Sequence, residues 1–313
     1  MTVVLIAVLY AIFAAMTFIN SKLMLANPYP FFVGMMRAFG SAVLLLGYGW
    51  VFHRLILKRF TLPIHGWRKL IVFGACVHGL AMSGFSYSVQ YTDPVKVCFI
   101  IAMCPFITAI LQYFLNNEVL SVKKVIGLIV GFCGLVPILL ASEHGAYADV
   151  AHHLEVLGGV VCFFATIAFA YGWIEMKKFL NEFSSYPIEI VNGIAMFVGG
   201  CVSLPLFLVF HKFALSGIDF SVDFPFLMTA FVVSSLLTYL IYAYLLKTFS
   251  ATFIAFAGFL EPVFGLIYGV AFMGHPLTFG AVGALFVVFV GLYIFYKEEI
   301  RTHKCDVKTD PNC

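Results

Sequence analysis

Residues 95–141 read VKVCFIIAMCPFITAILQYFLNNEVLSVKKVIGLIVGFCGLVPILLA. Two apolar runs, 95–115 and 122–141, are joined by a short turn carrying Asn116, Asn117, Glu118 and Ser121, and the second run opens on the paired lysines Lys123 and Lys124. About 20 mostly apolar residues, at a rise of about 1.5 Å each, cross the roughly 30 Å hydrocarbon core of a bilayer, so either run is long enough to span one. A backbone in lipid must satisfy its own hydrogen bonds, which leaves each run the α-helix. The segment is a transmembrane helical hairpin, and its basic turn marks one side of the membrane.

The same reading extended outward gives ten spans: 3–25, 31–52, 69–90, 95–115, 122–141, 155–177, 187–210, 224–247, 250–273 and 278–296. The longest connections, 53–68 and 142–154, are too short for a soluble domain and leave no room for an appended catalytic one. Composition agrees. With 63% hydrophobic and 11% charged residues and a mean hydropathy of +1.04, the chain lacks the polar surface that a soluble globule of its size requires. The first run starts at Thr2 with no basic stretch before it, unlike a secretory signal, and is expected to be a retained helix.

Cytoplasmic loops hold the Lys/Arg excess of membrane proteins. With the N-terminus inside, 14 of the 18 Lys and Arg fall in cytoplasmic segments, among them Arg54, Lys58, Arg59, Lys123, Lys124, Lys177, Lys178, Lys297 and Lys304. Outside lie only Lys22, Lys96 and Lys212, while Arg37 sits within a span. Both termini are therefore expected to be cytoplasmic, in a multi-pass protein of a bacterial inner membrane whose surroundings are the lipid bilayer. The basic residues gather on no soluble segment, so the net charge of +3 does not point to a nucleic-acid partner. The eight cysteines show neither a CxxC pair nor histidines at metal spacing, and most read as small core residues; the tail pair Cys305 and Cys313 stays ambiguous. No metal and no cofactor is expected.

Sliding the chain on itself aligns landmarks at one shift of 157 residues: Tyr29-Pro30 with Tyr186-Pro187, Tyr87 with Tyr244, Phe99 with Phe256, Pro105 with Pro262, Leu120 with Leu277 and Gly134 with Gly291. Each copy holds five spans, an odd number, so the second enters the membrane from the opposite side. The charges test this: Lys123 and Lys124 have the uncharged mates Gly280 and Ala281, as loops on opposite sides require. The expected fold class is all-α integral membrane, ten transmembrane helices as two inverted five-helix repeats, 1–142 and 154–297, followed by a cytoplasmic tail, 298–313. Inverted repeats with a midplane site between them characterise secondary transporters that work by alternating access.

The stretch Pro105–Gly134 resembles the helix-loop-helix that closes each half of EamA-type transporters in the drug/metabolite transporter superfamily: a mid-helix Pro, a Glu at the helix end (Glu118), a Leu-Ser turn and glycines along the next helix. Glu261-Pro262 through Gly291 resembles the second copy, with His275 where the family commonly has Glu. Arg37, within PFFVGMMRAFGSAVLLL, resembles the family's second-helix Arg, whereas the first helix carries Tyr10-Ala11 in place of the frequent Trp-Gly. The resemblance covers nearly the whole chain and implies a metabolite or drug transporter whose central cavity is lined mainly by helices one, three, four, six, eight and nine.

An ionisable side chain at the bilayer centre costs about 2.5–3.5 kcal/mol on insertion scales, so each one needs a reason. Glu261 lies halfway along its span beside a Pro, and either binds substrate or a proton or is a neutral packing group. Arg37, seven residues into its helix, either snorkels to the outer interface or serves a substrate carboxylate. His78 is a packing group or a proton relay, and Glu175 is placed to pair with Lys178 at i,i+3. Stripes that mix aromatics with hydroxyls and amides suit a pocket, since lipid would leave their polar groups unpaired: Tyr10, Phe13, Thr17 and Asn20; Thr166, Ala170 and Trp173; Ser235, Thr238, Tyr239 and Tyr242. Tyr171 joins the sixth-helix aromatics.

No HExxH, GxSxG or P-loop occurs, which disfavours an intramembrane enzyme and an ATP-driven pump, while a scaffold would have no need of midplane pseudo-symmetry. Expected substrate-binding residues are Glu261, Arg37, Asn20, His78, Tyr171, Trp173, Tyr239 and Tyr242, with coupling to a proton or a counter-substrate left open. One carboxylate, one cation and many aromatic faces suit an amphoteric organic molecule. Within the resembled superfamily both amino-acid exporters and S-adenosylmethionine carriers fit, and the adenine ring and sulfonium of the latter would use the aromatic walls most fully.

Overall fold

A computed structural model describes residues 2–26, 29–52, 61–92, 97, 100–118, 120–140, 152–211, 223–273 and 279–308, and these contain helices and turns but no strand. The helices are α1 (Thr2–Ala26), α2 (Pro30–Phe52), α3 (Ile64–Tyr91), α4 (Cys104–Asn116), α5 (Val122–Leu140), α6 (His152–Glu182), α7 (Ile188–His211), α8 (Asp223–Leu246), α9 (Ala251–Ala257), α10 (Leu260–Met273) and α11 (Phe279–Lys308). Among the described residues six helical segments are long and apolar enough to cross a membrane, and shorter apolar helices cover Val3–Thr17 and Cys104–Asn116. The protein is a multi-pass membrane protein. The connections 53–60 and 212–222, the segment 141–151, and Phe99, His275 and Leu277 lie outside the described residues.

Several helices run past the apolar runs that announced them. α3 starts at Ile64, behind the extended Pro63 and ahead of the apolar run, and Lys69 reaches Glu182 on α6. α11 continues through Lys308, so most of the stretch expected as a tail is the end of a long helix. Pro105 is not mid-helix. A turn at Ala102 and Met103 precedes it, and it occupies the first turn of α4, where its missing N–H leaves no bond unmade. The ninth apolar segment is broken in the same way at Gly258 and Phe259, between α9 and α10. α4 ends on Asn117 in the left-handed conformation (φ 54°), which Asn tolerates better than most residues.

Lipid tails are as apolar as leucine, so helices in a bilayer associate through close packing and interhelical hydrogen bonds. α2 packs along α7, α5 along α11, α1 against α8 and α10, and α3 against α6 and α7. At the α5–α11 crossing the backbones nearly touch: a Cβ on Gly291 would sit 2.4 Å from the amide nitrogen of Gly131. Hydroxyls tie other crossings, with Ser83 and Ser203 at 3.0 Å and Ser88 donating to the carbonyl of Gly158 at 2.8 Å. Near the ends of the expected spans Lys124 pairs with Glu299 at 2.7 Å, and Glu175 pairs with Lys178 at 2.9 Å in the anticipated i,i+3 arrangement.

Candidate functional site

A cavity of about 240 Å³ opens between α1, α2, α3, α4, α6, α8, α9 and α10. The first-helix stripe turns one face inward and brings Tyr10, Phe13, Thr17 and Asn20 to its wall; Phe85 and Ser86 of α3, Phe169 of α6, and Phe231 and Tyr242 of α8 extend it. Most of this lining is apolar and aromatic, with few polar groups in it.

Glu261 enters the cavity from the first turn of α10, just after the break that separates α10 from α9. Thr17 of α1 donates to its Oε1 at 2.7 Å, and among the described residues no Lys, Arg or His lies within ion-pair reach of it. Asn20, one turn further along α1, has a buried Oδ1 with no hydrogen-bond partner among the described residues.

Arg37 is fully buried, so it does not snorkel. Its Nη1 donates to Ser235 Oγ at 2.6 Å and its Nη2 to the carbonyl oxygen of His78 at 3.3 Å, while the guanidinium lies 5.9 Å from the ring of Phe231 and 5.8 Å from that of Tyr239. That carbonyl belongs to a π-helical stretch, Gly74–Ala81, a local widening of α3 of the kind common at functional sites. No carboxylate among the described residues pairs with Arg37. A buried guanidinium held only by neutral acceptors and ring faces keeps an unbalanced positive charge at the cavity edge, and anions are its natural complement.

Of the eight residues the sequence pointed to, the cavity brings together Glu261, Arg37, Asn20 and Tyr242. His78, Trp173 and Tyr239 stand one layer behind the wall: Trp173 stacks on Tyr242 with centroids 3.8 Å apart and lies near parallel to Tyr239 at 6.0 Å, and His78 meets Tyr239 edge to face at 4.6 Å. Both ring nitrogens of His78 are buried with no partner among the described residues. Tyr171 does not line the cavity. Sequence reasoning missed Phe85, Ser86 and Phe169; the signal for the second of these is the hydroxyl-rich stretch Ser83, Ser86 and Ser88 of the third span.

The profile of the EamA-like transporter family matches residues 1–140 and 156–297. The chain belongs to the EamA-like transporter family. An S-adenosylmethionine/S-adenosylhomocysteine transporter of Chlamydia muridarum is 28% identical over 267 residues, which cover 84% of this chain and 83% of that protein. A protein of the same description from Chlamydia trachomatis serovar L2 is 30% identical over 207 residues, covering 65% and 62%. One solved crystal structure superposes with a TM-score of 0.71 over 95% of this chain and 94% of its own, at 15% identity, a likeness of fold alone. This EamA-like protein is a membrane transporter of a small metabolite. The cavity draws on the six helices implied by the family resemblance and adds the second through Arg37.

Proposed function

We propose that the protein carries S-adenosylmethionine and S-adenosylhomocysteine across a bacterial inner membrane, as a ten-helix secondary transporter of two inverted repeats, 1–142 and 154–297, with both termini cytoplasmic. The observation that carries this reading is the union, in one aromatic cavity, of a carboxylate, Glu261, and a guanidinium, Arg37, neither of which has an ion-pair partner among the described residues. The substrate α-carboxylate takes Arg37, the α-ammonium takes Asn20 Oδ1, and the sulfonium faces Glu261. The adenine stacks on rings such as Phe13 and Tyr242, where contact with an aromatic face is worth about 1–3 kcal/mol per base. The names of the chlamydial relatives support the same substrates.

The packing supports alternating access between repeats. Under the 157-residue offset α2 and α7 are mates and pack on each other, as do α5 and α11; the pair α1–α8 is exchanged for α6–α3. This is the pattern that a two-fold axis in the membrane plane would produce.

The test is thermal unfolding of the purified protein with candidate metabolites. A ligand of the folded state at 100 times its dissociation constant adds about 2.7 kcal/mol, which reads as a rise of several degrees in Tm. S-adenosylmethionine and S-adenosylhomocysteine are expected to raise Tm, and sugar phosphates to leave it unchanged. The reverse ranking would overturn the substrate assignment.

A further inference from the structure

We infer that the Glu261 carboxyl, held by Thr17, is a proton site that loses its proton when a sulfonium enters the cavity and regains it when a thioether does, so that exchange of S-adenosylmethionine for S-adenosylhomocysteine moves one proton the opposite way and no net charge. The inference rests on the substrate reading above and adds the coupling ion to it.

The reasoning is charge balance in a medium of low dielectric constant. Among the described residues the cavity wall holds one carboxylate and one guanidinium. The groups facing Glu261 are neutral: Tyr10, Thr17 and Asn20 from α1, Cys104 from α4, and Tyr242 from α8, with Tyr239 behind it; Tyr268 on its own helix donates to the carbonyl of Ala11. Arg37, across the cavity and the one other charged group in its wall among the described residues, is held by Ser235 and the His78 carbonyl. An ionised carboxylate with no cation beside it is the costly state in such apolar surroundings, and a proton removes the cost. The two substrates differ at one atom: S-adenosylmethionine has a sulfonium and a net charge of +1, S-adenosylhomocysteine a thioether and a net charge of zero, and both keep the α-carboxylate for Arg37 and the α-ammonium for Asn20. With the sulfonium present Glu261 is ionised and paired. With the thioether present nothing replaces that cation, and Glu261 takes up a proton from the solution on that side. The loaded carrier then has the same total charge with either substrate. Inward movement of one S-adenosylmethionine returns one S-adenosylhomocysteine and one proton outward.

The test uses proteoliposomes of the full chain in which labelled S-adenosylmethionine exchanges for internal S-adenosylhomocysteine. An interior one pH unit more acidic is expected to raise equilibrium accumulation about tenfold, and an inside-negative potential of about 100 mV to change it less than twofold, whereas an exchange moving one charge would respond to that potential about 50-fold. Accumulation that follows the potential and ignores the pH gradient overturns the proton site. Absence of any exchange overturns the substrate reading beneath it. A binding measurement on Glu261→Gln, checked for folding by size-exclusion chromatography, closes the argument: affinity for S-adenosylmethionine is expected to fall at least tenfold while that for S-adenosylhomocysteine stays within twofold. Equal loss of both would show that Glu261 does not face the sulfonium.

Discussion

The Tyr239 hydroxyl donates to the thioether sulfur of Met82 at 3.0 Å, and the two residues stand 157 positions apart. That separation equals the sequence offset at which landmarks of the two halves align, and contact between such mates is what the proposed two-fold relation predicts near its axis. The proposed inversion of the halves makes a direct demand on topology. Reporters fused after Lys308 or inserted beside Lys123 are expected to read cytoplasmic, and one inserted at Ala148 to read external. A cytoplasmic signal at Ala148 would place the second half in the same orientation as the first.

Arg37 donates from both Nη atoms, and no carboxylate balances it among the described residues. Arg37→Ala is expected to weaken binding of carboxylate-bearing substrates about 10- to 150-fold, the range of a lost hydrogen bond to a charged group, while analogues lacking the carboxylate change little. Arg37→Lys keeps the charge but not the fork that meets Ser235 and the His78 carbonyl together, and is expected to restore only part of the loss. Competition binding with carboxylate and amide analogues reads both.

Trp173 is fully buried against Tyr242, Tyr239 and Phe73, a layer away from the cavity. Trp173→Ala is expected to cost about 3–5 kcal/mol of stability, as other large aromatic truncations do. Trp173→Phe should lower Tm while leaving substrate affinity within about threefold of the parent. An affinity loss without a stability loss would move Trp173 into the binding wall.

The α5–α11 crossing depends on glycine. A Cβ at Gly291 meets the backbone of Gly131 at 2.4 Å and of Gly127 at 2.8 Å, neither of which can give way like a flexible side chain. Gly291→Ala is expected to cost about 1–3 kcal/mol by overpacking. Gly283, on the same helix, has open space where a Cβ would go, so Gly283→Ala should be neutral or stabilise by up to about 1 kcal/mol through helix propensity. Thermal unfolding of the pair separates the crossing from a general effect of alanine.

Helix positions were legible because length and hydropathy are local properties of the chain, and the first-helix stripe gave Thr17 and Asn20 because a 3.6-residue period fixes which side chains share a face. Helix ends were less legible. Residues 64–68 and those after Tyr296 lie outside the apolar runs, yet they continue their helices, with the pairs Lys69–Glu182 and Lys124–Glu299 near those ends. The site separated from its surroundings only in three dimensions. Arg37 meets Ser235 across 198 residues of chain, and no local pattern records such a pairing or the widened turn that brings the His78 carbonyl to it. Tyr242 at the wall and Tyr239 and Trp173 behind it carry the same aromatic signal in sequence, because a period identifies an inward face without saying what lies beyond it.

The central claim is that this cavity carries adenosyl amino acids, and counterflow addresses it most directly. Proteoliposomes loaded with S-adenosylhomocysteine are expected to take up labelled S-adenosylmethionine severalfold faster than empty ones. Excess external S-adenosylhomocysteine should abolish that uptake, and Trp or Phe should compete weakly. Equal uptake by loaded, empty and protein-free vesicles, alongside transport of sugar phosphates or inorganic ions by the same preparation, would contradict it.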